Sequence, residues 1–96
     1  MITEIAKLKI APEQAQSFEQ VVEAARKHFL ASADCTSFRL DRVIEEPGTY
    51  LLIVGWTSVA AHMDDFRQTE NFQRWRALAG PFFVEAPSVS HSVQVI

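Results

Sequence analysis

Apolar and polar residues alternate with a period of two over residues 2–10. Ile2, Ala6, Leu8 and Ile10 share one face with Glu4, and Thr3, Ile5, Lys7 and Lys9 share the other. Alternation of this kind predicts a β-strand. The period then lengthens. Pro12 stands where the first turn of a helix tolerates a residue without an N–H, and Glu13 beside it complements the helix dipole. Phe18, Val21, Val22, Ala25 and Phe29 follow helical spacing, with Glu19, Glu23, Arg26 and Lys27 opposite. This helix is expected to end near Ser32, where Ser32-Ala33-Asp34 turns the chain. Alternation returns over residues 36–45, with Phe38, Leu40, Arg42 and Ile44 against Ser37, Arg39, Asp41 and Val43. Glu46-Pro47-Gly48 predicts a tight turn into Tyr50–Trp56, a run apolar on both faces. Two strands joined this way form a hairpin.

Ser58 is placed to cap a short helix carrying Ala61, His62, Asp65 and Phe66, and Thr69 to cap a second with Phe72, Trp75, Leu78 and Ala79 on its apolar stripe. Gly80-Pro81 ends that helix. After the Phe82-Phe83-Val84 loop and Pro87, residues 88–96 alternate again. Val89, His91, Val93 and Val95 oppose Ser90, Ser92 and Gln94, which predicts a last strand with a buried Val/His face. The order β-α-β-β-α-β is the α+β pattern of the ferredoxin-like fold, a four-stranded antiparallel sheet with helices on one face. Because strand three is apolar on both faces and helices cover only one, a second copy of the chain is expected to cover the other, as a homodimer.

Composition narrows the function. The 96 residues make one domain, 1–96. A net charge of −3 without a Lys/Arg cluster argues against a nucleic-acid partner. No segment approaches the ~18 apolar residues of a membrane span, and the alternating start does not read as a signal peptide. Together with the single cysteine, Cys35, this points to the cytoplasm. His28, His62 and His91 are far apart, with no HxH, HxxxH or CxxC pairing, and His28 falls on the polar side of the first helix. No metal and no other cofactor is expected.

Residues 56–91 hold both tryptophans, two of the three histidines and four of the seven phenylalanines. His62 and Phe66, four apart, share a helical face, and His91 lies among valines. A histidine in such surroundings is either a hydrogen-bonded core residue or a base inside an apolar cavity. Imidazole exchanges a proton near neutral pH without a large shift.

Gly55-Trp56-Thr57-Ser58, Ala61-His62, Phe66-Arg67, Phe72 to Trp75-Arg76, Pro81-Phe82-Phe83 and Pro87-Ser88-Val89-Ser90-His91, in this order and spacing, resemble the antibiotic biosynthesis monooxygenase domain family. The resemblance implies a dimeric α/β barrel and oxygenation of a small aromatic or quinol-type substrate without metal or flavin. It makes His62 and His91 the candidates for proton transfer. It would have Trp56, Phe66, Trp75, Phe82 and Phe83 line a substrate cavity, with Arg67 or Arg76 stabilising a phenolate. Two branches fit less well. The polyketide-oxidising set of asparagine, tyrosine and tryptophan has no match in Tyr50 or Asn71, and the heme-degrading branch needs a histidine on the Trp75 helix and an asparagine in strand one. The alternatives are a non-catalytic dimeric module binding a small hydrophobic or aromatic ligand, and acid–base chemistry that needs no O₂.

Overall fold

In the computed structural model, which describes residues 1–96, four strands form one antiparallel sheet. They are β1 (Ile2–Lys9), β2 (Cys35–Arg42), β3 (Thr49–Trp56) and β4 (Ser88–Ser92), in the spatial order β2-β3-β1-β4. The central pair β1–β3 runs in unbroken register from Ile2↔Trp56 to Lys9↔Thr49. Two helices, α1 (Ala15–Leu30) and α2 (Glu70–Ala79), cover one face. This is the ferredoxin-like α+β fold that the alternating and helical periods predict.

The core lies between the helices and that face. Helix α1 contributes Phe18, Val22, Ala25 and Phe29, and α2 contributes Trp75 and Ala79. From the sheet come Ala6, Leu8, Phe38, Tyr50, Leu52, Val54 and Trp56. Phe29 is the hub, with ring centroids 4.8 Å from Phe38, 4.9 Å from Phe66, 5.2 Å from Trp75 and 6.3 Å from Trp56. A second group packs Phe18 on Tyr50, Phe82 and Phe83. His28 is not simply solvated: its Nδ1 lies 3.0 Å from Asn71 Oδ1 and ties α1 to α2.

Two strands are shorter than their patterns suggest. β4 runs antiparallel to β1, and its pairing ends at Thr3↔Ser92. Val93 and Val95 therefore have no strand beside them and stand 63% and 86% exposed, and even Val89 is 46% exposed, so the expected buried face shrinks to His91. β2 stops at Arg42, because Val43 to Thr49 fold into the connecting turn: Glu46 N–H donates to Val43 O and Thr49 N–H to Glu46 O. Ile44 is left 87% exposed. Gly48 completes this turn at φ +84°, and a Cβ there would collide with the carbonyl oxygen of Ile10.

The opposite sheet face carries no helix. Ile5, Leu51 and Ile53 project from it, half-buried only by one another and by Arg39, Asp41, Lys7 and Ser90 in neighbouring register positions. No helix is long and apolar enough to cross a membrane.

Candidate active site

Beyond β3 the chain enters a short helical segment whose start is capped as the sequence predicts, Ser58 Oγ accepting from Ala61 N–H at 3.0 Å. The segment is not a plain α-helix. Ala61–Asp65 widen into a π-helical turn, in which Phe66 N–H reaches the carbonyls of Ala61 and His62, and Phe66–Gln68 then tighten into a 3₁₀ turn. Such wide turns recur at functional sites because they re-aim a side chain. Here the result is that His62 and Phe66 are both buried under the sheet end. Thr69 Oγ1 accepts from Phe72 N–H at 3.2 Å and starts α2.

His62 meets two polar side chains from strands distant in sequence. Its Nε2 lies 3.2 Å from Glu4 Oε1, and its Nδ1 lies 2.9 Å from His91 Nε2. Glu4 Oε1 also accepts from Trp56 Nε1–H at 2.9 Å. The indole of Trp56 stacks on the His62 ring, with centroids 5.2 Å apart and planes 18° from parallel. The sheet register makes this possible. Glu4 and His91 are directly paired across β1–β4, and Glu4 is flanked on β3 by Val54, one side-chain step from Trp56. The three titratable groups thus stand in series, carboxyl, imidazole, imidazole, rather than converging on one point.

Burial sets the electrostatics. Glu4 and His62 are each only 4% exposed. Desolvation pushes the Glu4 carboxyl up to about 7, against the opposing Trp56 hydrogen bond and the nearby Arg67 charge. Desolvation likewise drives His62 down to about 4, helped by the positive potentials of His91 and Arg67. At neutral pH the Glu4–His62 contact is accordingly a close approach of the carboxyl to a neutral imidazole, not an ion pair, and the carboxyl is poised between its two forms.

A cavity of about 430 Å³ opens beside this series, between the sheet and α2. Its floor is Glu4, Ala6, Leu8 and Leu52, its roof Phe72, Trp75 and Arg76, and its ends Phe83, Glu85–Pro87 and Val89, with His62 and Arg67 at the side. That volume suits a ligand of one to a few rings. Glu4 lines this cavity, and its Oε2 makes no hydrogen bond. Two guanidiniums flank the space, each held over the Phe72 ring: Arg67 Cζ at 5.5 Å from its centroid and Arg76 Cζ at 6.0 Å. A separate cleft of about 310 Å³ between α1 and β2 holds Glu19, Glu23, Arg26 and Arg42, whose charges pair with one another.

Of the residues singled out from sequence, His62, Arg67, Trp75, Arg76 and Phe83 lie on the cavity wall. His91 stands behind His62, half-exposed on the edge strand β4. Trp56 and Phe66 are one layer deeper, fully packed in the core, and Phe82 turns away to Phe18. Glu4 was visible only as a carboxylate on the apolar face of an alternating strand. That was a signal, since ionisable groups are seldom fully buried without a partner.

The sequence model for the antibiotic biosynthesis monooxygenase family matches residues 1–78. The uncharacterized protein YczJ of Bacillus subtilis (strain 168) is 31% identical over 91 residues, 95% of this chain and 96% of its own. Among solved structures, a protein of Bordetella bronchiseptica described as a candidate antibiotic biosynthesis monooxygenase superposes with a TM-score of 0.95 at 42% identity, covering 99% of this chain and 97% of its own. A similarly described protein of Caulobacter crescentus CB15 gives a TM-score of 0.83 at 27% identity, over 99% and 90% of the two chains. With the family match spanning most of the sheet and both helices, the chain belongs to the antibiotic biosynthesis monooxygenase family.

Proposed function

We propose that this protein is a cofactor-independent monooxygenase that converts a small phenolic or quinol-type aromatic to a quinone. The observation that supports it most is a buried carboxyl–imidazole–imidazole series opening on an apolar cavity flanked by two guanidiniums. In the proposed reaction a substrate hydroxyl loses its proton to the protein, and the electron-rich phenolate passes one electron to O₂. Phenoxyl radical and superoxide combine, and the peroxide takes back a proton. Loss of water then leaves a ring carbonyl, so one oxygen atom enters the product and the other leaves as water. Arg67 and Arg76 are placed to hold the phenolate, the His62–His91 pair serves proton transfer, and the packed aromatic wall keeps bulk water out.

Oxygen uptake with a panel of anthrones and hydroquinones tests this. The wild-type protein should accelerate uptake, and His62→Ala and His91→Ala should each lose at least about tenfold, since positioned proton transfer contributes on the order of 10²–10⁴-fold. Equal rates for wild type and both variants across the panel would defeat the proposal. Ligand-dependent thermal shifts without turnover would instead mark a binding module, and turnover under nitrogen would mark acid–base chemistry independent of O₂.

The proposal includes a homodimer built on the helix-free sheet face, where Ile5, Leu51 and Ile53 supply the apolar centre and Lys7, Arg39 and Asp41 a charged rim. Sedimentation equilibrium should give twice the chain mass, and Ile53→Lys, which places a charge at the middle of that patch, should give the monomer. A monomeric wild type at micromolar concentration would count against it.

A further inference from the structure

We infer that Glu4 is the residue that takes the substrate's hydroxyl proton, and that His62 and His91 are positioning residues connecting its carboxyl to solvent. The inference rests on the oxygenase reading above and assigns its base.

The geometry divides the labour between the two carboxyl oxygens. Oε1 accepts from the Trp56 indole N–H and has His62 Nε2 3.2 Å away, whereas Oε2 has no hydrogen-bond partner on a carboxyl that lines the cavity. His62, by contrast, has Nδ1 bonded to His91 and Nε2 turned to within 3.2 Å of Glu4 Oε1, so both ring nitrogens stand against protein groups. His91 is separated from the cavity by His62. Its own remaining nitrogen, Nδ1, has no partner and lies on the half-exposed edge strand. Proton acceptance from a bound phenol therefore has one unobstructed atom, Glu4 Oε2. In that step the substrate O–H bond breaks, the Oε2–H bond forms, and the phenolate is left beside Arg67 and Arg76. The same proton returns to the peroxide later in the cycle, so Glu4 ends ionised as it began.

The imidazole pair lets Glu4 exchange a proton with solvent between turnovers, so that the carboxyl starts each cycle ionised. With Glu4 ionised, His62 carries its proton on Nε2, 3.2 Å from Oε1, and accepts at Nδ1 from His91 Nε2–H. When a solvent proton arrives at His91 Nδ1, the Nε2 proton of His91 moves to His62 Nδ1 and the Nε2 proton of His62 moves to Glu4 Oε1; loss of the His91 Nδ1 proton to solvent runs the same shifts backwards and returns Glu4 to the ionised base. Both rings stay neutral throughout and merely change tautomer, which suits an imidazole whose protonated form is disfavoured by burial. The charge that acts on Glu4 is Arg67, from the 3₁₀ turn after the π turn, and Arg76 from α2 and Glu85 from the segment before β4 line the same cavity. Desolvation outweighs them and holds the carboxyl at about 7, matched to proton exchange at neutral pH.

Glu4→Gln is the test, because the amide keeps an oxygen for Trp56 and His62 and removes only the basic oxygen on the cavity side. Near-UV circular dichroism should be unchanged. Oxygen uptake with the best anthrone or hydroquinone should fall at least tenfold below that of His62→Ala or His91→Ala, and the wild-type pH–rate inflection near 7 should vanish. In His91→Ala the inflection should move while activity partly survives, which a purely structural role would not produce. Without substrate, one indole N–H resonance should titrate with pH in wild type, through the Trp56–Glu4 hydrogen bond, and not in Glu4→Gln. An active wild type whose Glu4→Gln variant matches or exceeds the histidine variants overturns this inference and leaves the oxygenase reading standing. Absence of any titrating indole signal between pH 5 and 9 overturns it also, and a wild type inactive on the whole panel removes both.

Discussion

Phe29→Ala is expected to lower the free energy of unfolding by roughly 3–5 kcal/mol, the range for deleting a fully buried phenylalanine. The ring is 2% exposed and touches aromatic partners from every layer: Phe38 on β2, Trp56 on β3, Phe66 after the π turn and Trp75 on α2. Truncation leaves a cavity that these large, mutually braced rings cannot collapse into, and it forfeits four ring contacts, each worth about 0.5–1.5 kcal/mol beyond area alone. A domain of this size rarely has more than about 5–15 kcal/mol in total. The variant should therefore be partly unfolded at physiological temperature. Urea denaturation measures it, and a loss below about 1 kcal/mol would mean that the ring cluster is looser than described. Because Phe66 sits directly on both Phe29 and Trp56, the variant should also blur the position of His62.

The second large effect is in the pH dependence of stability, where Glu4 and His62 oppose each other. Glu4 has a folded pKa raised from 4.5 to about 7, so its contribution favours folding fully below 4.5 and is lost as pH rises through 7. His62 has a folded pKa lowered from 6.5 to about 4, so its contribution is present above 6.5 and is lost as pH falls through 4. Between about 4.5 and 6.5 the two slopes have opposite signs and offset one another. Removing either partner should uncover the other. Glu4→Gln should gain stability as pH rises from 4 to 6.5, and His62→Gln should lose it from 4.5 to 7. Each change should be on the order of 3 kcal/mol, from about 1.4 kcal/mol per pKa unit. Thermal unfolding of the two variants across pH 4–8 reads this directly. Parallel curves would show that the pair is not desolvated as described.

The architecture was legible because its elements carry strong patterns: period two in β1 and β2, an unbroken apolar run in β3, helical spacing from Phe18 to Phe29, and side-chain caps at Ser58 and Thr69. What the periods could not show was partner supply. Val93 and Val95 continue the alternation of β4 in sequence, but the β1–β4 pairing ends at Thr3↔Ser92 and leaves both exposed. The site was half legible for the same reason. His62, Arg67, Trp75, Arg76 and Phe83 cluster in one segment and fall on one cavity, as their local density suggested. Periodicity could not separate that wall from the layer behind it, so Trp56 and Phe66 read as lining when they are core. Glu4 lies on a different strand, and its importance comes from the β1–β3 and β1–β4 registers, which no local spacing encodes.

The pairing of Glu4 with His91 joins the first strand to the last, across nearly the whole chain. Contacts that close so long a loop form late, because most of the conformational entropy must already have been lost before they become favourable. A folding intermediate in which α1 has docked on the β2–β3 hairpin would bury Phe29, Phe38 and Val54, yet it would hold none of the proton path. A chain still short of its native sheet therefore lacks the Glu4–His62–His91 series, which only the completed β1–β4 pairing assembles.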